Sequence, residues 1–207
     1  IVIVGGSSDI AKSTISSIST ENYKFHALVR DDSHTDELSG LGVNVILGDA
    51  TSEEDIKNFI SGVKESGEIH AILHCVGSFA VRPPHAMNKE AFEAVISTNL
   101  TSAFLTLSIA GKAMLSQGHG RMVFMSSVAG SLGLVNHEAI SAAKGGIESM
   151  VRSAAATYAN RGLRINAVAP GLTDTKLASP IMSNETASQA ASHKIPVKRV
   201  GSKEEVA

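Results

Sequence analysis

Short, wholly apolar runs alternate along this chain with longer stretches in which apolar positions recur every three or four residues. The short runs cover 1–4, 24–29, 43–47, 69–75, 121–125 and 164–168. They are rich in β-branched residues and bounded by Gly, Asp or Ser, which marks them as strands. Between them the helical period predicts helices over 10–19, 53–65, 89–116 and 137–160. Strands that are apolar throughout are covered on both faces, and strands separated by helices run parallel. The expectation is an α/β fold with a doubly wound parallel sheet, whose ligands bind beyond the C-terminal strand ends. No repeat, linker or low-complexity tract interrupts 1–207, so a single domain is expected.

Composition narrows the function classes. A chain of 207 residues can bury one full core, and 43% apolar with 18% charged residues describes a soluble globular protein. A net charge of -2 with no basic cluster argues against a nucleic-acid surface. The lone Cys75 excludes an internal disulfide and suits a reducing, cytoplasmic setting. No uninterrupted apolar run reaches membrane-spanning length and no basic-then-apolar leader opens the chain, so neither a membrane span nor a signal peptide is expected. No set of His, Cys or carboxylates has metal-ligand spacing along the sequence, so no metal is expected.

The candidate chemistry gathers where the run 121–125 delivers Ser126 and Ser127 to its C-terminal end and a small-residue helix follows. On that helix His137, Ile140 and Lys144 fall at i, i+3 and i+7, on one face. A positioned hydroxyl and an ammonium can steer a proton onto or off a substrate oxygen. An acid with a tunable proton is expected between them, and position 140 holds isoleucine. His137 titrates near neutrality as a residue type and is one candidate donor, or else a surface histidine at a helix start; Lys144 is the second.

Two loops suggest a nucleotide. The first strand leads into Gly5-Gly6-Ser7-Ser8-Asp9-Ile10-Ala11, where backbone N–H groups and a helix N-terminus can hold a phosphate, Ser7 and Ser8 add hydroxyls, and Asp9 can cap the helix. An ordinary strand-to-helix turn reads the same way. The second strand ends in Arg30, which can accept the extra phosphate of NADP where an acid would bind the ribose of NAD; the alternative is a solvated loop charge beside Asp31. Asp49, after the third strand, is on its own a turn or cap residue.

The runs Ser126-Ser-Val-Ala-Gly130, Ser141-Ala-Ala-Lys-Gly-Gly146 and Arg164-Ile-Asn-Ala-Val-Ala-Pro-Gly171 resemble the short-chain dehydrogenase/reductase family, and the resemblance covers essentially the whole chain. It implies a Rossmann fold. It also implies that Ser127 orients a carbonyl and that Lys144 holds the nicotinamide ribose and lowers the pKa of a tyrosine four residues before it. That tyrosine slot is Ile140, and neither Tyr23 nor Tyr158 has the spacing to replace it. Asn99 resembles the family asparagine that kinks its helix and holds a water linked to the lysine. Asp49 and Ala50 would line the adenine pocket. Cys75 and Gly77 stand in the strand-end motif where the family shows asparagine pairs before its glycine, with His74 read as a structural residue. Pro170, Gly171, Thr173 and Thr175 resemble the loop over the nicotinamide, and the polar stretch 176–192 a lid that sets substrate choice.

The resemblance implies an oxidoreductase preferring NADP, with NAD possible as the alternative cofactor, acting on a carbonyl/alcohol substrate through Ser127, Lys144 and an altered proton donor. The other reading is a dinucleotide-binding sensor or partner subunit with vestigial chemistry. Surplus apolar width on the helix 89–116 and the Ala- and Gly-rich face of 137–160 suggest a homodimer or homotetramer. The chain begins inside an apolar run and stops where the family continues through a helix and a strand, so both ends read as trimmed.

Overall fold

The computed structural model describes residues 1–18 and 22–207. Six strands, β1 (Val2–Val4), β2 (Phe25–Val29), β3 (Val43–Leu47), β4 (Ala71–His74), β5 (Gly120–Met125) and β6 (Leu163–Val168), pair in parallel in the order β3-β2-β1-β4-β5-β6. The helices are α1 (Asp9–Ser17), α2 (Thr35–Gly40), α3 (Glu53–Glu65), α4 (Lys89–Ile96), α5 (Ser102–Gln117), α6 (Glu138–Tyr158), α7 (Ser179–Met182), α8 (Glu185–Lys194) and α9 (Lys203–Val206). Strand order reverses between β1 and β4, which opens a crevice at their C-terminal ends.

Both faces of the sheet are covered, as the unbroken apolar strands require. On one side Ile56 and Phe59 of α3, Leu107 and Met114 of α5 and Ile147 of α6 pack on Val4, Ile72, Met122 and Phe124. On the other, Ala11 and Ile15 of α1 and Leu38 of α2 pack on Ile3, Ala27 and Val29. Helix starts follow local chemistry. The Ser52 hydroxyl accepts the Asp55 N–H at 3.2 Å, with three acids in the first turn of α3, and Asn88 accepts the Ala91 N–H at 2.9 Å to start α4.

The predicted runs all carry strands or helices, with local departures. β4 is shorter than 69–75 because Gln117 takes both backbone groups of Ile69, each at 3.1 Å, in place of a ladder partner. α1 begins at Asp9, and its predicted end at Ser19 lies outside the described residues. The helix predicted over 89–116 is interrupted by a π-helical turn, Ser97–Thr101. α6 starts at Glu138, with His137 as its N-cap residue rather than its first helical residue. The stretch 176–192, read as a loop-like lid, contains α7 and most of α8. The run Lys89–Gln117 is long and apolar enough, by length and composition alone, to cross a bilayer. Its Ala103, Leu107, Ala110 and Met114 are buried in the sheet's own core, as in a core helix of a soluble domain.

His74, at the end of β4, is fully buried. The Ser102 hydroxyl donates to Thr98 O at 2.6 Å, so the 3.1 Å contact between Ser102 Oγ and His74 Nε2 is donated by the ring. Nδ1 is then a buried acceptor without a hydrogen-bond partner. Burial, reinforced by the nearby Lys144 charge, pushes the pKa of His74 down to about 3. The unfolded chain therefore binds the extra proton first, between pH 6.5 and about 3, and stability falls as pH falls through that window, by up to about 5 kcal/mol. His74→Asn should flatten this acid limb, read as melting temperature from pH 7 downward; a parallel acid limb in the variant would show that other groups set it.

Candidate active site

The C-terminal end of β5 and the segment just after β4 converge on Lys144. This lysine is 7% exposed, and its Nζ donates to Met125 O at 2.7 Å at the end of β5. Removing the ammonium from water disfavours its charged form and lowers its pKa from 10.5 to about 8. A Cβ placed on Gly77 would lie 3.3 Å from Asn99 Oδ1 and 3.7 Å from Lys144 Nζ, so glycine at the end of β4 leaves that corner open to both groups.

Asn99 sits in the π-helical turn and is fully buried. Its Nδ2 donates to Val95 O at 2.9 Å and to Ser78 Oγ at 2.8 Å, and its Oδ1 accepts the Ser78 N–H at 3.2 Å. Taking the carbonyl four residues back with a side chain competes with the regular helical bond, and the turn widens there. The outcome is an amide locked beside the lysine.

The serine loop is fixed from two sides. Ser126 N–H donates to Val168 O at 2.7 Å, and Val128 N–H donates to Pro170 O at 2.9 Å. The Ser126 hydroxyl lies 3.1 Å from Lys144 O and 2.8 Å from Glu148 Oε1, and the Ser131 hydroxyl donates to Glu148 Oε2 at 2.7 Å. These two hydroxyls hold the Glu148 carboxyl below its usual range. Gly130 and Gly145 bring backbone against backbone: a Cβ on Gly145 would meet Gly130 O at 3.1 Å. Ser127 Oγ accepts the Ala129 N–H at 3.2 Å and leaves its own proton for another partner. Sequence reading passed over Glu148, although its position one turn after Lys144 puts it on the same helix face.

Ile140, one turn before Lys144, is 7% exposed in an apolar cluster with Val95, Ala129, Ala139 and Ala143. His137 is not brought to this cluster by any hydrogen bond among the described residues; its Nδ1 contacts Val135 O at 2.7 Å, within its own turn. A shallow cleft lined by Ala129, Leu132, Leu134, Val135, Glu138 and Ser141 adjoins the serine loop.

On the other side of the crevice, Gly5 and Gly6 both donate to Leu28 O, at 3.0 and 3.1 Å. Gly5 has φ +85°, and a Cβ there would meet Val76 at 2.9 Å, so only glycine fits without strain. Ser8 precedes α1 with no side-chain cap, and the first-turn N–H groups of Asp9, Ile10 and Ala11 have no intrahelical acceptor. Ser7 and Ile10 are half-buried on either side of this turn. Asp9 Oδ2 accepts the Lys176 N–H at 2.6 Å and Oδ1 lies 3.6 Å from Lys12 Nζ. Thr173 is buried with Oγ1 donating to Gly171 O at 3.2 Å, and Thr175 precedes the Lys176 contact, so the loop after β6 meets the loop after β1. Cys75 N–H donates to Val4 O at 2.8 Å, and burial raises its thiol to about 12. Arg30 is exposed at the end of β2, close enough to Asp49 to help lower its carboxyl, after the larger effect of the Thr51 N–H and hydroxyl, both at 2.8 Å. Ala50 beside it is buried.

The glycine turn, the open helix N-terminus and the exposed arginine at the end of the neighbouring strand fit a dinucleotide laid across the switch point.

A family model described as enoyl-(acyl carrier protein) reductase matches residues 5–207. The chain is 30% identical over 207 residues to the 3-oxoacyl-(acyl-carrier-protein) reductase MabA of Mycobacterium tuberculosis, covering 100% of this chain and 81% of that protein. It is 29% identical over 215 residues to a tropinone reductase homologue of Arabidopsis thaliana, covering 99% and 79%. Among solved structures, levodione reductase superposes with a TM-score of 0.90 at 27% identity, covering 99% of this chain and 86% of that one.

The buried ammonium gives a measurable signature. Between pH 8 and 10.5 the unfolded chain holds the Lys144 proton that the folded chain has released, so stability rises with pH across that window, by at most about 3 kcal/mol. Lys144→Met removes this dependence, so the melting temperature of the wild type should gain on the variant from pH 8 upward. A gap that stays constant with pH would place the Lys144 titration where it is in the unfolded chain.

Proposed function

The chain belongs to the short-chain dehydrogenase/reductase family, and on that premise we propose that it is an NADP-preferring oxidoreductase acting on a carbonyl/alcohol pair through a proton path altered at Ile140. The observation that carries this reading is Lys144, a buried ammonium with its pKa lowered to about 8, beside Asn99 and at the end of the strand that delivers Ser127. Ser127 beside it has no evident task in a module that binds dinucleotide alone. A general acid works best with a pKa near the operating pH.

Gly5, Ser7, Ser8, Asp9 and Ile10 would hold the pyrophosphate, Asp49 and Ala50 the adenine, Arg30 the 2′-phosphate, and Cys75, Gly77, Pro170, Gly171, Thr173 and Thr175 the nicotinamide half. When bound, the nicotinamide supplies or accepts the hydride. Ser127 donates its free hydroxyl proton to the carbonyl oxygen and orients it. Lys144, tethered to Met125 O, supplies the proton in the direction of reduction, directly or across Ser127. Asn99 holds the corner polar and keeps a route for reprotonating the lysine. His137, its Nδ1 held 2.7 Å from Val135 O within its own turn, is the alternative donor. The apolar cleft beside the serine loop suits a substrate whose carbonyl carries an apolar body. The reductase names of the relatives support the same direction of reaction.

The exposed Phe92 and Phe104 on α4 and α5 support self-association through that helix pair, as homodimer or homotetramer. We assign the region 1–207 to one catalytic domain working in the cytoplasm on a small molecule, without nucleic acid or membrane.

NADPH oxidation against a panel of ketones, aldehydes and quinones tests the reading. Slow turnover is expected from the wild type and none from Ser127→Ala, with NADPH affinity equal in both. Ile140→Tyr should raise the rate by about 10²–10⁴-fold, the usual contribution of a positioned proton donor. Arg30→Ala should weaken NADPH more than NADH. Tight NADPH binding with no turnover in either wild type or Ile140→Tyr overturns the enzyme reading and leaves a dinucleotide-binding sensor.

A further inference from the structure

The same two strands that end at the candidate active site begin, at their other ends, beside a second group of chemically active side chains. Glu68 and His70 precede β4 and His119 precedes β5, and their ligand atoms lie within 4.8 Å of one another. The rings of His70 and His119 stack with centroids 5.5 Å apart and planes 22° from parallel. His119 Nε2 is 3.3 Å from the Glu68 carboxylate. We propose that Glu68, His70 and His119 bind one divalent transition-metal ion of the zinc class, through two imidazole nitrogens and one carboxylate oxygen, with water completing the shell.

Three observations support a built site over a chance surface grouping. First, the frame is rigid although the side chains face solvent. Gln117 bonds both backbone groups of Ile69, between the two ligands on that segment, and the Arg121 N–H donates to His70 O at 3.1 Å. The pairing Ala71↔Arg121 then fixes the register that sets His119 next to the Glu68–His70 segment. Second, the turn carrying His119 is pinned by Gly118 at φ +80°, and Gly162 packs so closely that a Cβ there would overlap Gly118 O. Third, the ion pair accounts for Glu68 and His119, and the ring stack holds His70 against His119 but leaves its ring nitrogens without a hydrogen-bond partner among the described residues; a role as third ligand employs them.

The donor set selects the ion. Imidazole nitrogens with a carboxylate suit Zn²⁺ and its neighbours in the first transition row, whereas Ca²⁺ and Mg²⁺ take oxygen shells and soft Cu⁺ takes thiolates. The eight residue steps from His119 to Ser127, at about 3.3 Å each, put this site roughly 25 Å from the serine, so the ion would staple two loops and take no part in hydride transfer. The chain spacing concealed the set, because its third member comes from the neighbouring strand.

The test uses the tag-free, chelator-stripped chain titrated with ZnCl₂ by calorimetry, with melting temperature and NADPH affinity followed in parallel. The expected result is one Zn²⁺ per chain and a higher melting temperature. His70→Ala and His119→Ala should each lose at least the roughly tenfold in zinc affinity that disturbing a ligand's support already costs. Metal-free melting temperature and NADPH affinity should stay at wild-type values in both variants. No stoichiometric uptake by the wild type, or uptake undiminished in the His70→Ala/His119→Ala double variant, overturns the proposal.

Discussion

The burial of one ammonium governs the architecture around the crevice. A lysine with 7% exposure must have its charge solvated by the protein, and among the described residues the backbone acceptor brought to its Nζ is Met125 O at the end of β5. For that carbonyl to be free, β5 must end at Met125 and the chain must turn at once. Ser126 makes the turn, and its bonds to Lys144 O and Glu148 bind the loop to the helix that carries the lysine. Glycines at 130 and 145 follow from the same requirement, because the loop and α6 must touch backbone to backbone. The π-helical turn then places the Asn99 amide at the remaining open side. Each feature exists because the one before it leaves a polar group to satisfy.

Ile140 stands one turn before Lys144 on α6. A side chain that is apolar and buried among Val95, Ala129 and Ala143 seals one wall of the corner. Removal of Lys144 from water is what brings its pKa down to about 8.

Much of this was legible along the chain. The six apolar runs became the six strands, and 43–47 and 53–65 matched their elements residue for residue, the helix because Ser52 caps it where its acids follow. The site's outline was legible for a different reason: Ser127 and Lys144 are tied to neighbouring secondary structure by fixed intervals. What stayed hidden depends on contacts between distant segments. Glu148 acquires its task only when the serine loop folds over α6, the π-helical turn only when Asn99 finds Val95 O and Ser78, and the short helices in 176–194 carry little apolar periodicity to announce them. Glu68, His70 and His119 came into view only once β4 and β5 were paired.

Asp9 shows why departures from a motif need the fold before they can be judged. A carboxylate at the mouth of a phosphate-holding helix would repel a pyrophosphate if it stood alone, because the helix N-terminus would be serving its own side chain. Here its two oxygens are already engaged, one by the Lys176 N–H and one beside Lys12, which also reaches Glu37 at 3.0 Å. The negative charge is therefore turned away along α1, and the first-turn N–H groups keep their vacancy. The same bond fastens the loop after β6 to the loop after β1, two segments 167 residues apart in sequence. A glycine at position 9 would leave the mouth uncharged but would leave those loops untied. Aspartate trades a weaker electrostatic welcome for a closed frame around the crevice, and the exposed Arg30 at the far end restores positive charge where a 2′-phosphate would sit.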